Sequence, residues 1–134
     1  MQGGIATVVR SSARKAANLA HLLRPEVHAL GDGPRSQPME TILLVDDEPD
    51  VLALASSILK AEGYTLLSTE NPREALRIAR AWPEPLDLLL TDVVMPGMNG
   101  RELAGRLRGL RPGIKVLFMS AFGAEAIENY GIRL

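Results

Sequence analysis

Two short apolar runs of this sequence each end in carboxylates. Asp46 and Asp47 follow the run at residues 42–45, and Asp92 follows the run at residues 88–91. If both runs are strands of one parallel sheet, their carboxyl ends meet at a single crevice, where such sheets bind their ligands. Carboxylates packed together repel one another unless a hard cation or protons neutralise them. The three acids therefore predict a Mg²⁺ site, and Mg²⁺ beside a carboxylate points to phosphoryl chemistry.

Each acidic group also has a simpler interpretation when it is taken alone. Asp46, Asp47 and Glu48 could be the acidic first residues of a helix, where negative charge interacts favourably with the helix dipole. Asp92 could be a turn residue, because aspartate commonly begins a loop after a strand. The joint interpretation is favoured because both groups fall at the same edge of the same predicted sheet.

The elements that must position these acids alternate along the chain. Apolar runs predict strands at residues 41–45, 64–68, 86–91 and 114–119. Helical spacing, caps and stop signals predict helices from Pro49 to Gly63, from Asn71 to Ala81, from Asn99 to Leu110 and over residues 123–130. Strands that alternate with helices of this length indicate βαβ units and a parallel sheet covered on both faces.

Length and composition limit the class of protein. The 134 residues allow one domain with a short extension, and a hydrophobic content of 46% with 15 basic and 16 acidic residues is typical of a soluble globular protein. This balance predicts neither nucleic-acid nor membrane binding. The absence of cysteine excludes disulfides and thiolate metal sites, so we expect a cytoplasmic protein. No apolar run approaches the roughly 20 residues that span a bilayer, and the N-terminus shows no secretory signal.

The chain divides into three segments. Residues 31–40 are rich in glycine, proline and polar residues, which is typical of a linker. Before them, residues 1–30 form an extension in which apolar residues recur at helical spacing over residues 5–24, up to Pro25. We expect an amphipathic helix there, as a remnant or a partner-binding element. Residues 41–134 form the main domain.

Three segments of the main domain carry motifs that occur in a fixed order. They are Leu-Val-Asp-Asp-Glu-Pro at residues 44–49, Thr-Asp-Val-Val-Met-Pro-Gly-Met-Asn-Gly at residues 91–100, and Val-Leu-Phe-Met-Ser-Ala at residues 116–121. With these motifs, the domain resembles the receiver domain of two-component response regulators. The resemblance implies an α/β, doubly wound, flavodoxin-like parallel sheet with strand order 2-1-3-4-5. Residues 12–23 also weakly resemble a helix of histidine-kinase dimerisation domains, and residues 37–41 resemble the linker before the receiver of hybrid kinases.

The resemblance also implies a role for each site residue. Asp92 would accept a phosphoryl group from a phosphohistidine on a partner kinase. Asp47 and Asp92 would ligate Mg²⁺ together with the main-chain carbonyl of Val94, and Asp46 would assist through a bound water. Ser120 would supply the hydroxyl group that hydrogen-bonds the new phosphate.

The sequence departs from the receiver pattern near its C-terminus. Receivers normally continue through a fifth strand that ends in Lys-Pro and through a fifth helix, whereas this sequence ends at Leu134, before either element. Its lysines are Lys15, Lys60 and Lys115, and none of them ends an apolar strand that precedes a helix. We therefore expect an incomplete receiver without the fifth strand and helix, with residues 114–119 as an exposed edge through which chains could self-associate.

Three functions remain open from the sequence. The leading hypothesis is a phosphoacceptor signalling module, not a turnover enzyme, whose partner is a sensor histidine kinase or a histidine phosphotransfer protein. The second is a degenerate receiver that acts only as an interaction surface, because the family's lysine is missing. The third is a Mg²⁺-dependent phosphohydrolase. Such enzymes typically need a second acid two residues after the nucleophile, and Val94 occupies that position.

Overall fold

The computed structural model describes residues 40–119, which form a four-stranded parallel sheet with three helices. The elements are β1 (Thr41–Val45), α1 (Pro49–Ala61), β2 (Thr65–Thr69), α2 (Pro72–Ala81), β3 (Leu88–Asp92), α3 (Gly100–Leu110) and β4 (Lys115–Met119). The strand order is β2-β1-β3-β4, and all three pairings are parallel. The doubly wound, flavodoxin-like fold is thus confirmed over these residues. The predicted N-terminal helix, the linker, Ser120, the helix at residues 123–130 and the expectations about a fifth strand and helix lie outside them.

Burial distinguishes the central strands from the edge strand β2. All five residues of β1 and all five of β3 are buried, as expected for apolar strands that are covered on both faces. In β2, Thr65 and Ser68 are exposed and the other three residues are only partly buried. The two strands that lead into the acids are therefore the central and most completely buried pair among the described residues.

Three predicted strands begin earlier than the observed ones, each for a local reason, and β2 and β3 end one residue later than predicted, at Thr69 and Asp92. Tyr64 donates its N–H to the carbonyl of Leu59, so it belongs to the exit of α1 and β2 begins at Thr65. Ile114 donates its N–H to the carbonyl of Arg111 in a turn, so β4 begins one residue later. The pairing of β3 with β1 begins only at Leu88, although Leu86 is also buried. An apolar, buried side chain therefore does not by itself mark a residue as part of the strand.

The helix termini follow the signals in the sequence. Pro49 and Pro72 lie at the first positions of α1 and α2, where a missing N–H costs no hydrogen bond. The side chain of Asn71 accepts hydrogen bonds from the N–H groups of the first turn of α2. Asn99 and Glu102 form a reciprocal capping box at the start of α3. Gly63, with φ of 100°, ends α1 in the conformation that glycine tolerates best.

The sheet has one hydrophobic core on each face. One core lies between the sheet and α2 and α3, and includes Ala75, Leu89, Leu103, Leu107 and Val116. The other lies on the face that carries α1 and consists of Ile42, Leu44, Ala55, Leu59, Leu88, Leu90, Leu117 and Met119. Within the described part of the chain, no helix is long and apolar enough to cross a membrane.

The side chain of Arg111 links several main-chain carbonyls at the end of the sheet opposite the acids. The guanidinium group of Arg111, which follows α3, donates to the main-chain carbonyls of Ala79, Trp82 and Glu84. The carbonyls of Ala79 and Trp82 belong to the C-terminal end of α2, where helical carbonyls have no partner within the helix. Arg111 therefore fixes the end of α2 against the beginning of β4.

Candidate functional site

The structure brings the three predicted acids together at the carboxyl end of the sheet. One carboxylate oxygen from each of Asp46, Asp47 and Asp92 lies within 4.8 Å of the others. The reason is the topology, because β1 and β3 are adjacent and parallel, with Val45 paired with Thr91. The residues that follow these two partners are Asp46 and Asp92, so they emerge side by side.

The burial of these acids separates them from ordinary helix-terminal charges. Asp46 is fully buried, Asp92 is 7% exposed, and Asp47 is half-buried. Glu48 and Asp50, which begin α1, are exposed. Carboxylates withdrawn from water need compensating partners. The interpretation of Asp46 and Asp47 as only the solvated start of a helix therefore does not account for the site.

The side chain of Asp46 is held by the turn from β1 into α1. Its Oδ1 accepts a hydrogen bond of 2.9 Å from the N–H of Glu48, two residues later. Its own N–H donates to the carbonyl of Thr69 at the end of β2, at 3.3 Å. Both contacts fix the direction of the carboxylate at the point where three strands end.

Asp92 is held from both sides by the main chain around it. Its Oδ1 accepts a 2.8 Å hydrogen bond from the N–H of Val93, and the same N–H lies 3.0 Å from the carbonyl oxygen of Met119. The hydroxyl group of Thr91 donates to the carbonyl of Asp92 at 2.9 Å. Asp92 is thus anchored at the junction of β3 and β4.

The pairing of β3 with β4 also bears on the predicted hydroxyl residue. Asp92 pairs with Met119, the last residue of β4. Ser120 follows Met119 directly in the sequence, but it lies outside the described residues. Its role therefore stays a prediction.

Gly100 is a site-supporting residue whose function the sequence did not reveal. A β-carbon on Gly100 would lie 2.1 Å from the carbonyl oxygen of Asp92, which is far inside van der Waals contact. The N–H of Gly100 donates to the carbonyl of Val93 at 2.7 Å. The sequence signals were the position of Gly100 at the end of the motif at residues 91–100 and the dipeptide Asn99-Gly100, which indicates a helix start but not a close approach to the acid.

The loop between β3 and α3 is anchored by apolar side chains. Met95 and Met98 are 6% and 3% exposed and belong to the core beneath α2 and α3. Between them, Gly97 has φ of 84°, a left-handed conformation that favours glycine. Val94 is half-buried at the start of this loop. The anchors hold the main chain after Asp92 in one place beside the acids.

Neither lysine in the described residues lies at the acidic edge. Lys115 begins β4 and pairs with Leu88, four residues before Asp92, which corresponds to about 13 Å along the strand. Lys60 is exposed in the last turn of α1, while the first turn of that helix follows the acids. Lys15 lies outside the described residues.

The donor set fits a hard divalent cation. Carboxylate oxygens are the ligands that Mg²⁺ prefers, and the ion usually keeps several waters among its six ligands. With one oxygen of each acid within 4.8 Å of the others, two carboxylates could contact one ion directly while the third acts through a water. The oxygen chemistry and the burial of two of the three acids fit a small cation.

Comparison with known proteins identifies similar sequences. The family model described as "Response regulator receiver domain" matches residues 42–133. The chain is 38% identical over 90 residues to the response regulator receiver protein CpdR of Brucella abortus, a match covering 67% of this chain and 73% of that protein. It is 37% identical over 89 residues to the sensor kinase CckA of the same organism, covering 66% of this chain but only 9% of that kinase.

Solved structures show the same similarity. The response regulator TrrA of Thermotoga maritima, crystallised in complex with Mg²⁺-BeF, superposes with a TM-score of 0.59 at 33% identity, covering 69% of this chain and 79% of that one. TrrA has also been solved in complex with the histidine kinase ThkA, and that structure superposes with a TM-score of 0.55 at 36% identity, covering 63% of this chain and 72% of that one.

Proposed function

This chain belongs to the response regulator receiver domain family, and from that premise we propose that Asp92 is the residue that accepts the phosphoryl group. Receiver domains are phosphoacceptor modules of two-component signalling systems. The observation that carries the assignment is the position of Asp92, which is buried at the end of a central strand with oxygens of Asp46 and Asp47 within 4.8 Å.

The proposed reaction is a phosphoryl transfer from a partner phosphohistidine. The P–N bond of the phosphohistidine breaks, a P–O bond forms to a carboxylate oxygen of Asp92, and the released imidazole nitrogen takes up a proton. The N–H of Val93 holds Oδ1 of Asp92 at 2.8 Å, which orients the nucleophile. Such transfers ask the protein mainly for positioning and for stabilisation of charge.

The remaining acids have proposed roles in holding the cation. Asp47 and Asp92 would bind Mg²⁺ together with the main-chain carbonyl of Val94, and Asp46 would act through a bound water. When bound, Mg²⁺ would neutralise the charge of the transferring group. Support comes from the convergence of the three carboxylates and from the similarity to TrrA, which was solved with Mg²⁺-BeF.

We propose that Ser120 responds to phosphorylation of Asp92. Phosphorylation adds close to two negative charges at neutral pH, together with strong hydrogen-bond acceptors. The pairing of Asp92 with Met119 makes Ser120 the next residue after the strand position beside the acid. Its hydroxyl group would donate to the phosphoryl oxygens and draw the end of β4 toward them.

The proposed partner is a histidine kinase or a histidine phosphotransfer protein, and the proposed location is the cytoplasm. The structure of TrrA with the kinase ThkA supports a kinase as the partner. The similarity to a short segment of the sensor kinase CckA fits a receiver that is part of a hybrid kinase. In either setting the domain serves as a switch and not as a turnover enzyme.

The assignment is tested by phosphorylation of the purified chain with acetyl phosphate and Mg²⁺, followed by intact mass measurement. We expect one phosphoryl group on the wild-type chain and none on Asp92→Asn. The matched control is Asp50→Asn, because Asp50 is an exposed aspartate in the first turn of α1, outside the cluster. It should be labelled like the wild type. A label that persists in Asp92→Asn would overturn the assignment. An unlabelled wild-type chain that still binds its kinase would favour a pure interaction surface.

A further inference from the structure

The apolar face of the sheet that carries α1 extends beyond β1 across β3 and β4. Leu88 and Leu90 of β3 and Leu117 and Met119 of β4 project from this face and are 2%, 0%, 3% and 0% exposed. They belong to the core formed with Ala55 and Leu59 of α1. The apolar surface of this face thus continues from β1 across β3 to β4.

Only one helix of the described region lies on this face. α1 packs mainly on β1 and β2, whereas α2 and α3 contribute their buried residues to the core of the opposite face. Leu117 and Met119 lie on β4, two strands beyond β1 on the side away from β2. Residues 40–119 therefore contain no second helix to cover this side of the face.

Right-handed connection would place a helix that leads from β4 to a further parallel strand on the other face of the sheet. The connection from β1 to β2 runs one way across the sheet through α1, and the connections from β2 to β3 and from β3 to β4 run the other way through α2 and α3. Parallel crossovers are right-handed in almost all proteins. A chain that continues in the direction of β4 would therefore place its next helix beside α3.

We propose that residues 5–24 of this chain pack as an amphipathic helix across β3 and β4, next to α1. Their apolar residues recur at helical spacing, as Ile5, Val8, Val9, Ala13, Ala16, Leu19, Ala20 and Leu23. A helix of that length spans about 30 Å, which exceeds the length of a five-residue strand. The apolar stripe is thus long enough to cover the buried side chains of both strands.

Charge and reach both suit this occupant. Residues 5–24 include four basic residues (Arg10, Arg14, Lys15 and Arg24) and no acidic one. The exposed charged residues at the ends of α1 are three acidic ones (Glu48, Asp50 and Glu62) and one basic one (Lys60). Opposite charges on neighbouring elements favour their association. The 16 residues from Pro25 to Glu40 can extend over about 50 Å, so the tether to β1 does not limit the position of the helix.

Paramagnetic broadening in the full-length chain tests the proposal. Because the chain has no cysteine, Asn18→Cys provides a single attachment site for a nitroxide label, on the polar side of the predicted helix. We expect the methyl signals of Leu117 and Leu90 to lose more intensity than those of Leu103 and Leu107, which lie in the opposite core. A label at Arg80→Cys, an exposed position of α2, should reverse that order and serves as the matched control.

If something other than residues 5–24 covers β3 and β4 on this face, the broadening experiment gives a different result. Equal or reversed losses with the Asn18→Cys label would overturn the proposal, because the segment would not lie on this face. The same losses on isotope-labelled, unmodified chains that are mixed with spin-labelled chains would assign the cover to a second copy and also overturn it. The double change Leu19→Asp with Leu23→Asp should abolish the preferential loss and speed amide exchange in β4, whereas Arg14→Gln on the polar side should leave both unchanged.

Discussion

The α-carbon of Gly100 lies so close to the main chain of Asp92 that a β-carbon there would approach the Asp92 carbonyl oxygen to 2.1 Å. The first residue of α3 thus rests directly on the residue proposed to accept the phosphoryl group. The N–H of Gly100 also donates to the carbonyl of Val93 at 2.7 Å. Any residue other than glycine must displace either the helix or the end of β3.

The change Gly100→Ala should therefore destabilise the fold and impair phosphorylation. Overpacking of this kind costs about 1–3 kcal/mol. The matched control is Gly105→Ala in the same helix, where a β-carbon would meet nothing within 4 Å. That change should stabilise the chain by about 0.5–1 kcal/mol, because alanine is the better helix former. Urea unfolding of both variants measures the difference, and shifts of the same sign would contradict the proposed contact.

Mg²⁺ should stabilise the wild-type fold. A ligand that binds only the folded state at a hundredfold excess over its dissociation constant adds about 2.7 kcal/mol to the free energy of unfolding. Asp47→Asn should raise the stability in EDTA, because it removes one of three crowded negative charges, and it should also reduce the gain from Mg²⁺. The exposed control Asp50→Asn should keep the full gain. A melting temperature of the wild type that does not change over a wide Mg²⁺ titration would argue against a cation site.

Arg111→Lys should lower the free energy of unfolding although it keeps the charge. A lysine cannot reproduce the planar guanidinium group that reaches the carbonyls of Ala79, Trp82 and Glu84 together. Hydrogen bonds from charged groups contribute about 1.5–3 kcal/mol each, so a loss of about 2 kcal/mol is expected. Arg106→Lys, at an exposed position of α3, should change the stability by less than about 0.5 kcal/mol. Equal effects of the two changes in guanidinium unfolding would refute the role of Arg111.

Asn99→Ala should cost about 1 kcal/mol, because it removes the acceptor for the N–H of Glu102 and half of the capping box of α3. Asn99→Asp keeps that acceptor and should lie within a few tenths of a kcal/mol of the wild type. The comparison is made by thermal unfolding. Because α3 begins against Asp92, we also expect slower labelling of Asn99→Ala by acetyl phosphate. A labelling rate equal to that of the wild type would show that the cap of α3 does not affect phosphorylation of Asp92.

Much of the site followed from the sequence because parallel topology is strongly constrained. The apolar runs before Asp46 and Asp92 predicted buried strands, and the alternation with helices predicted a parallel sheet. Once both strands are parallel neighbours, the acids that follow them must emerge at the same edge. Likewise, Asn71, Gly63 and the pair Asn99 and Glu102 predicted helix ends, because capping depends only on residues within one turn.

The sequence by itself thus determined the order of the elements, the parallel sheet and the identity of the clustered acids, because these depend on local periodicity and on the rules of chain connection. The strand order was implied by the resemblance of three motifs to receiver domains. Only the tertiary structure decided which acids are buried, since the depth of Asp46 and Asp92 depends on how the helices cover the sheet. It also revealed the contact of Gly100 with Asp92 and the reach of Arg111 to the end of α2. Such contacts join residues that the sequence separates, and their distances are set by packing, which no local pattern encodes.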